Sequence, residues 1–379
     1  MKKLLTFLIL LSTVANIQAQ PQQRRLHPFR FKQMARQMPA EWHASQEALN
    51  VADSVLKYQF PSGGWAKNHD WQAAPTGNKL RERQEVWAAI HSKDGVGSTI
   101  VNDATTTEMM LLAKVYGATR KKVYREAFLR GFNYLLEAQY PNGGWPQYYP
   151  FKPLNNEGQP FYSNRITFND NAMVNVMLVL RDIGNDREPY TALKLTAKQK
   201  EQAKQAFDRG VQCILKTQIR KNGKLTVWCQ QHDESTMEPA GARAYELPSF
   251  TGSGETPRIL QLLMELPSPS PEVIASVTAA VEWLRAHAIR DMAIEHYTNQ
   301  EGKHDTRLVH RFGTPLIWAR YYDLDTEEPY VCDRDGIKQP ALEYIGYERR
   351  NGYGWYGSSP KDILDAYPAW LKAATAQSE

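Results

Sequence analysis

Apolar residues return at three- and four-residue steps over Glu41–Tyr58, Lys121–Glu137 and Ala197–Thr217, the spacing of helices that each bury one face. Each stretch runs into a turn. Gln59-Phe60-Pro61-Ser62-Gly63-Gly64-Trp65 closes the first, and Gln139-Tyr140-Pro141-Asn142-Gly143-Gly144-Trp145 closes the second. A degenerate third copy runs from Gln218 through Lys221-Asn222-Gly223-Lys224 to Trp228. Proline and glycine stop a helix and reverse the chain, while tryptophan offers a large anchor to the next element. After a loop, polar residues open a new helix: Asn102-Asp103-Ala104-Thr105-Thr106, then Asn169-Asp170-Asn171-Ala172-Met173, then Ser249–Glu255. Units of this kind bury their apolar faces only by stacking. Three hairpins closing on one another predict a mainly α fold, an (α/α)3 toroid with its turns gathered at one end. Long loops are expected at 60–100, 145–168 and 222–252, with a few short strands; loops of that length usually carry function.

The ends of the chain read differently. Met1-Lys2-Lys3, an apolar run from Leu4 to about Val14 and small residues up to Ala19 have the layout of a secretory signal peptide over 1–19. Export to the periplasm or beyond is the expectation. No later segment approaches the ~20 apolar residues of a membrane span. Residues 20–40, with Arg24, Arg25, Arg30, Lys32 and Arg36 among Gln and Pro, read as a mobile arm leading into one catalytic domain over 41–379. Nothing in that domain resembles a flexible linker, and a monomer is expected.

Composition removes several classes of function. The 379 residues carry 46 Lys and Arg against 41 Asp and Glu, a net charge of +5 that falls to +3 without Lys2 and Lys3. That is mildly basic, and no dense basic stripe suggests nucleic acid. Cys213, Cys229 and Cys332 are odd in number and match neither a disulfide framework nor a zinc site. A nucleophile elbow, a phosphate loop, a His-Glu-x-x-His helix and acid-rich diphosphate-binding signatures are all missing. Terpenoid cyclases carry similar Gln…Gly-x-Trp turns on helical toroids, so the turns speak for a fold and chemistry must come from elsewhere.

Candidate chemistry lies in the loops. Asp103 and Asp170 hold equivalent places in two units, so a toroid brings both to one rim. There they could bind a hard cation such as Ca²⁺, or simply cap the helices that follow. The string Trp228-Cys229-Gln230-Gln231-His232-Asp233 leads to Arg243-Ala244-Tyr245-Glu246. In it His232 could be a ligand, a base or a structural residue, and Arg243 could act on substrate or pair with Glu246. Further on come Trp318-Ala319-Arg320-Tyr321-Tyr322-Asp323 and Arg334-Asp335-Gly336, then the Gly/aromatic turn Arg349–Gly357, which reads as packing. Arginine forks bind carboxylates and aromatic faces stack on sugars, and 10 Trp and 19 Tyr suit a carbohydrate groove.

Taken in order, these segments, together with Pro61–Asn68 and Ile166–Met173, resemble the pectate lyases of polysaccharide lyase family 10 from about residue 45 to 360. One departure is Ala66, where the family usually has Pro after the first Trp; the second turn keeps Pro146. The resemblance implies an (α/α)3 toroid that binds polygalacturonate (pectin) and cleaves it by Ca²⁺-dependent β-elimination. Asp103 and Asp170 would belong to the calcium and substrate centre, and Arg243 would be the base. Arg320 and Arg334 would grip uronate carboxylates, and Lys67 would add charge to the groove. Thr105, Trp228, His232 and Tyr245, within the matching strings, join the substrate-binding candidates. Two rivals fit some of these residues: a toroid glycoside hydrolase using two carboxylates, and a non-catalytic pectin-binding protein.

Overall fold

The computed structural model describes residues 31–71, 78–92, 97–151 and 162–376. The signal-peptide segment 1–19 and most of the N-terminal arm lie outside the described residues. Among the described residues eleven α-helices appear in chain order: α1 (Phe31–Gln37), α2 (Gln46–Lys57), α3 (Asn78–Ile90), α4 (Thr106–Thr119), α5 (Lys122–Glu137), α6 (Ala172–Gly184), α7 (Ala197–Thr217), α8 (Thr256–Met264), α9 (Pro271–Ala286), α10 (Tyr347–Gly352) and α11 (Pro360–Ala376). Local signals set their ends. Thr196 opens α7 with a capping box: its hydroxyl accepts the Gln199 N–H at 3.2 Å, and the Gln199 side chain accepts the Thr196 N–H at 3.0 Å. Ser45 caps α2 by accepting the Ala48 N–H on its hydroxyl at 3.2 Å, so the expected single helix over 41–58 is broken there and its first turn becomes a 3-10 helix, Ala40–Ala44.

The helices form the two layers of an α/α toroid. α4 packs on α5, α6 on α7 and α8 on α9; along the inner layer α4, α6, α8 and α11 are successive neighbours, and along the outer layer α2, α5, α7 and α9. Sequence explains the sorting. In α6 nearly every position from Ala172 to Leu180 is apolar and most are buried, as befits a helix covered on several sides. In α5 and α7 a single buried stripe, such as Ala127, Phe128, Gly131, Phe132 and Leu135, faces inward and the rest is polar. Among the described residues no helix is long and apolar enough to cross a membrane.

The repeated turns stitch these layers together. Each tryptophan donates its indole N–H back to the outer helix before it: Trp65 to Val55 O at 2.8 Å, Trp145 to Leu135 O at 2.8 Å and Trp228 to Ile214 O at 2.7 Å. Trp318 repeats the contact with Leu284 O at 2.7 Å, a copy that the sequence pattern hides because a hairpin (Met292–Thr298 with His304–His310) intervenes. The glutamines reach forward. Gln59 joins its own turn at Gly63 O to α5 at Ala127 O, and Gln139 joins Gly143 O to α7 at Ala206 O. Gly63 and Gly143 have φ of +102° and +94°, and a Cβ on either would stand 2.3 or 2.0 Å from the carbonyl oxygen of Arg130 or Arg209. Only glycine fits. In the third copy Gln218 spans a longer turn, built as the hairpin Arg220–Lys221 with Lys224–Leu225.

Three other expectations change. The loop over 60–100 contains α3, whose Arg/Glu-rich sequence shows no clear apolar stripe. The C-terminal third holds more strand than expected: Ser249–Thr251, Tyr321–Asp323, Pro329–Cys332 and Lys338–Gln339 form one antiparallel sheet. The end of the arm is no mobile tail, because α1 buries Phe31, Met34 and Ala35 in the main core. Lys114 of α4 holds its last carbonyls, Ala35 O at 2.7 Å and Arg36 O at 3.2 Å. All three cysteines are buried free thiols.

Candidate active site

The starts of α4 and α6 carry the acids. Asn102 and Asp103, then Asp170 and Asn171, all have positive φ, between 53° and 60°. Asn and Asp enter the left-handed region more easily than other side chains, and paired there they turn the chain sharply into each helix. Neither aspartate caps its helix; the N-cap positions are Thr105 and Asn171, and neither side chain makes a capping bond. The capping alternative therefore falls. Asp103 and Asp170 line one cavity of about 710 Å³ together with Lys32, Arg36, Asn171 and Asn175. Asp103 Oδ1 accepts from Asn175 Nδ2 at 2.6 Å, while its Oδ2 is met by Lys32 Nζ at 3.1 Å and an Arg36 Nη at 3.4 Å. Carboxylate and amide oxygens are the donor set of a hard cation. Among the described residues no three His, Cys, Asp or Glu side chains group as a metal site, so a cation here would draw on two carboxylates plus amide or water oxygens.

Arg243, Arg320 and Arg334 each pair with an acid. Arg243 forks onto Glu246: Nε to Oε2 is 2.8 Å, and Nη2 to Oε1 is closer still. Burial disfavours the Arg243 charge, but the hydrogen bonds and charge of Glu246 outweigh it and leave the pKa raised. Arg320 meets Glu255 at 2.6 Å and lies 4.7 Å from the Tyr353 ring. Arg334 forks onto Glu348 at 3.1 and 3.2 Å, and Arg349 shares the same carboxylate. The ring of Tyr245 lies under three guanidiniums, 5.0 Å from Arg243, 5.8 Å from Arg334 and 4.3 Å from Arg349.

A buried chain of hydrogen bonds ties the two groups together. Gln230 Nε2 donates to Asn169, beside Asp170, and also to Glu246 Oε1 at 3.3 Å. Tyr321 donates its hydroxyl to Gln230 and shares a 2.7 Å bond with the Tyr353 hydroxyl, which reaches Glu246 Oε1 at 3.2 Å. Lys67 stands 5.7 Å from the Tyr148 ring.

Several sequence candidates turn out to be framework. Thr105 is fully buried, accepting the Trp65 N–H at 3.0 Å and donating to Thr99 O at 2.8 Å. Trp228 is buried as a helix anchor. His232 is buried with both ring nitrogens engaged, Nδ1 with Met237 O at 2.9 Å and Nε2 with the Cys229 N–H at 3.2 Å. Burial pushes its pKa down to about 4, so the imidazole is neutral. None of these three can touch substrate in this arrangement. Tyr245 is 4% exposed and acts as the platform for the arginines. Arg320, with its side chain 15% exposed, keeps little surface for a ligand, whereas Arg334 is 64% exposed. Sequence reasoning missed Lys32, Arg36, Arg349 and the acids Glu255 and Glu348. It also read the 349–357 turn as packing, although Tyr353 sits in the network. Arg349 stands beside the aromatic turn; Lys32, Arg36 and Glu255 show in sequence only as parts of the basic arm and of a polar helix entry, and Glu348 gives no signal.

Helical toroids with acids and arginines on their loops serve more than one enzyme class, and comparison with known proteins decides between them. The pectic acid lyase family profile matches residues 59–364, and the chain belongs to that family. It is similar to the family 10 polysaccharide lyase from Cellvibrio cellulosa, with 32% identity, a TM-score of 0.72 and coverage of 88% of this chain and 95% of that one. An Asp-to-Ala mutant of that enzyme, solved in complex with trigalacturonic acid, matches at 33% identity and a TM-score of 0.71 over 87% of this chain and 95% of that one. No curated protein matches.

Proposed function

We propose that the protein cleaves α-1,4-polygalacturonate by calcium-assisted β-elimination, leaving 4,5-unsaturated oligogalacturonides, with Arg243 as the base. The observation that carries this reading is the buried chain from Asn169 through Gln230 and Glu246 to Arg243, which fixes the acidic rim and the guanidinium in one frame. The C5 proton of galacturonate lies α to a carboxylate, and its removal puts further charge on that group. Arg334, exposed and forked, suits a uronate carboxylate in a neighbouring subsite, and Lys67 would add charge for the polymer. Asp103 and Asp170 would hold the calcium. When bound, that ion supplies Lewis-acid stabilisation of the developing enolate-like charge. Arg243 must be neutral to accept a proton, so the rate is expected to climb through the alkaline range. Export, expected from the signal-like segment 1–19, would agree with a polymeric substrate.

The test is the rise in ultraviolet absorbance from unsaturated ends when the protein meets polygalacturonate, first with calcium and then with chelator. The expected result is a rise that chelator abolishes and that Arg243→Ala lowers by roughly 10²–10⁴-fold. New reducing ends without absorbance would replace elimination by hydrolysis, and silence in both assays would leave a binding protein.

A further inference from the structure

Glu246 is a buried carboxylate at the centre of the site. Its side chain is 2% exposed. It receives the Arg243 Nε–H and an Nη2–H, the Arg243 backbone N–H at 3.3 Å, the Tyr353 hydroxyl at 3.2 Å and Gln230 Nε2 at 3.3 Å. The segment that carries it is a tight turn, with the Glu246 N–H on Arg243 O at 2.7 Å and the Ala242 N–H on Glu246 O at 2.9 Å. Such an acid cannot swing away as a surface partner would. It takes two edges of the guanidinium inward, and among the described residues Nη1 alone has no protein partner. The Arg243 side chain is still 41% exposed, so Nη1 is the nitrogen left to meet a ligand.

Resting on the reading of Arg243 as base, we infer that Glu246 is its positioning residue: the fork selects Nη1 as the atom that meets C5–H and holds the guanidinium that forms. In the step, the Nη1 lone pair of neutral Arg243 takes the C5 proton. The C5–H pair becomes the C4–C5 double bond, and the C4–O pair leaves on the glycosidic oxygen, which takes a proton from water. The product state is then the Arg243–Glu246 ion pair seen here. Glu246 thus opposes the first deprotonation of Arg243 and favours the proton transfer that follows. Around this pair stand Tyr162, Tyr245 and Tyr353 near Arg243, and Tyr321 and Glu255 near Glu246; the charges of Arg334 and Arg349 share the Tyr245 ring, and Arg320 lies over Tyr353.

The experiment is the pH profile of kcat on polygalacturonate for wild type, Glu246→Gln and Glu246→Asp, with folding checked by circular dichroism. Glu246→Gln removes the charge, so its rising limb is expected about one pH unit or more lower, with maximal kcat down at least about tenfold and KM within about threefold. Glu246→Asp keeps the charge but shortens the reach, so the limb should stay in place while kcat falls. A folded Glu246→Gln whose limb does not move overturns the proposal, whatever its kcat. If Glu246→Gln does not fold, Glu246→Asp decides: a tenfold loss of kcat supports positioning and an unchanged kcat removes it. Full elimination by Arg243→Ala would sink the reading of the base, and this proposal with it. An inactive Arg243→Ala beside an indifferent Glu246→Gln would sink this proposal alone.

Discussion

The two halves of the site carry opposite charge and solve the same problem differently. In the acidic half, Asp103 is neutralised by Lys32 and Arg36, whose side chains are 41% and 46% exposed on the short helix α1. In the arginine half, Arg243 and Arg320 are neutralised by Glu246 and Glu255, which are almost wholly buried. Counter-ions on the surface can leave when a better partner arrives, and buried ones cannot without a large cost. The counter-ions of Asp103 can therefore be exchanged, whereas Arg243 and Arg320 keep their acids; Arg334 and Glu348, both exposed, follow the first pattern.

The largest effect that would break this contrast is expected at Glu255. Glu255→Ala leaves Arg320 as a buried charge without its acid, which should cost about 3–5 kcal/mol of stability in urea unfolding. A loss below about 1 kcal/mol would mean that the pair is not fixed. Next comes Glu108 of α4, buried with Oε1 on the Trp71 indole N–H at 2.9 Å and Oε2 without a hydrogen-bond partner among the described residues. Burial raises its pKa from 4.5 to about 7. The folded state therefore holds this proton more tightly than the unfolded chain does. Its contribution is full below about pH 4.5 and is lost as pH rises to about 7, by about 3 kcal/mol. Melting temperature against pH should show this slope, and Glu108→Gln should flatten it; the same slope in the variant would assign it to another group. The smallest effect sharpens the contrast. Replacing Lys32 and Arg36 together by Ala should tighten calcium at Asp103 by about fivefold in calorimetry, since exposed ion pairs are worth up to about 1 kcal/mol. Unchanged or weaker binding would show that the two side chains do not compete for the carboxylate.

Much of this architecture was legible in the chain, for a physical reason. The Gln-x-Pro-x-Gly-Gly-Trp turns are local, and glycine is required where the backbone passes a neighbouring carbonyl, so the repeat shows in sequence. The outer helices show too, because one buried face imposes a period. α3 was hidden because its charged sequence has no strong stripe, and the Trp318 turn because a long hairpin interrupts it. The site was legible only in part. Asp103, Asp170, Arg243 and Arg334 stand in short distinctive strings, but burial is a property of the assembled fold. For that reason Thr105, Trp228 and His232 looked like site residues and are framework. The partnership of Arg320 with Glu255 joins residues far apart in sequence, and that of Asp103 with Lys32 and Arg36 crosses from α1 to the start of α4. Composition gives no hint of either.

The indole anchors bear on how such a protein can change over evolutionary time. Each turn is clamped where its tryptophan returns to the outer helix, at Val55, Leu135, Ile214 and Leu284. Between helix and anchor the chain length is free: the third turn admits an extra hairpin, and the fourth admits the long strands of Met292–His310. Segments inserted there behave as exchangeable cassettes, because their length is not transmitted to the helices. New groove walls can thus be tried on an unchanged chassis, and lineages can diverge in the polymers they accept while the toroid stays still.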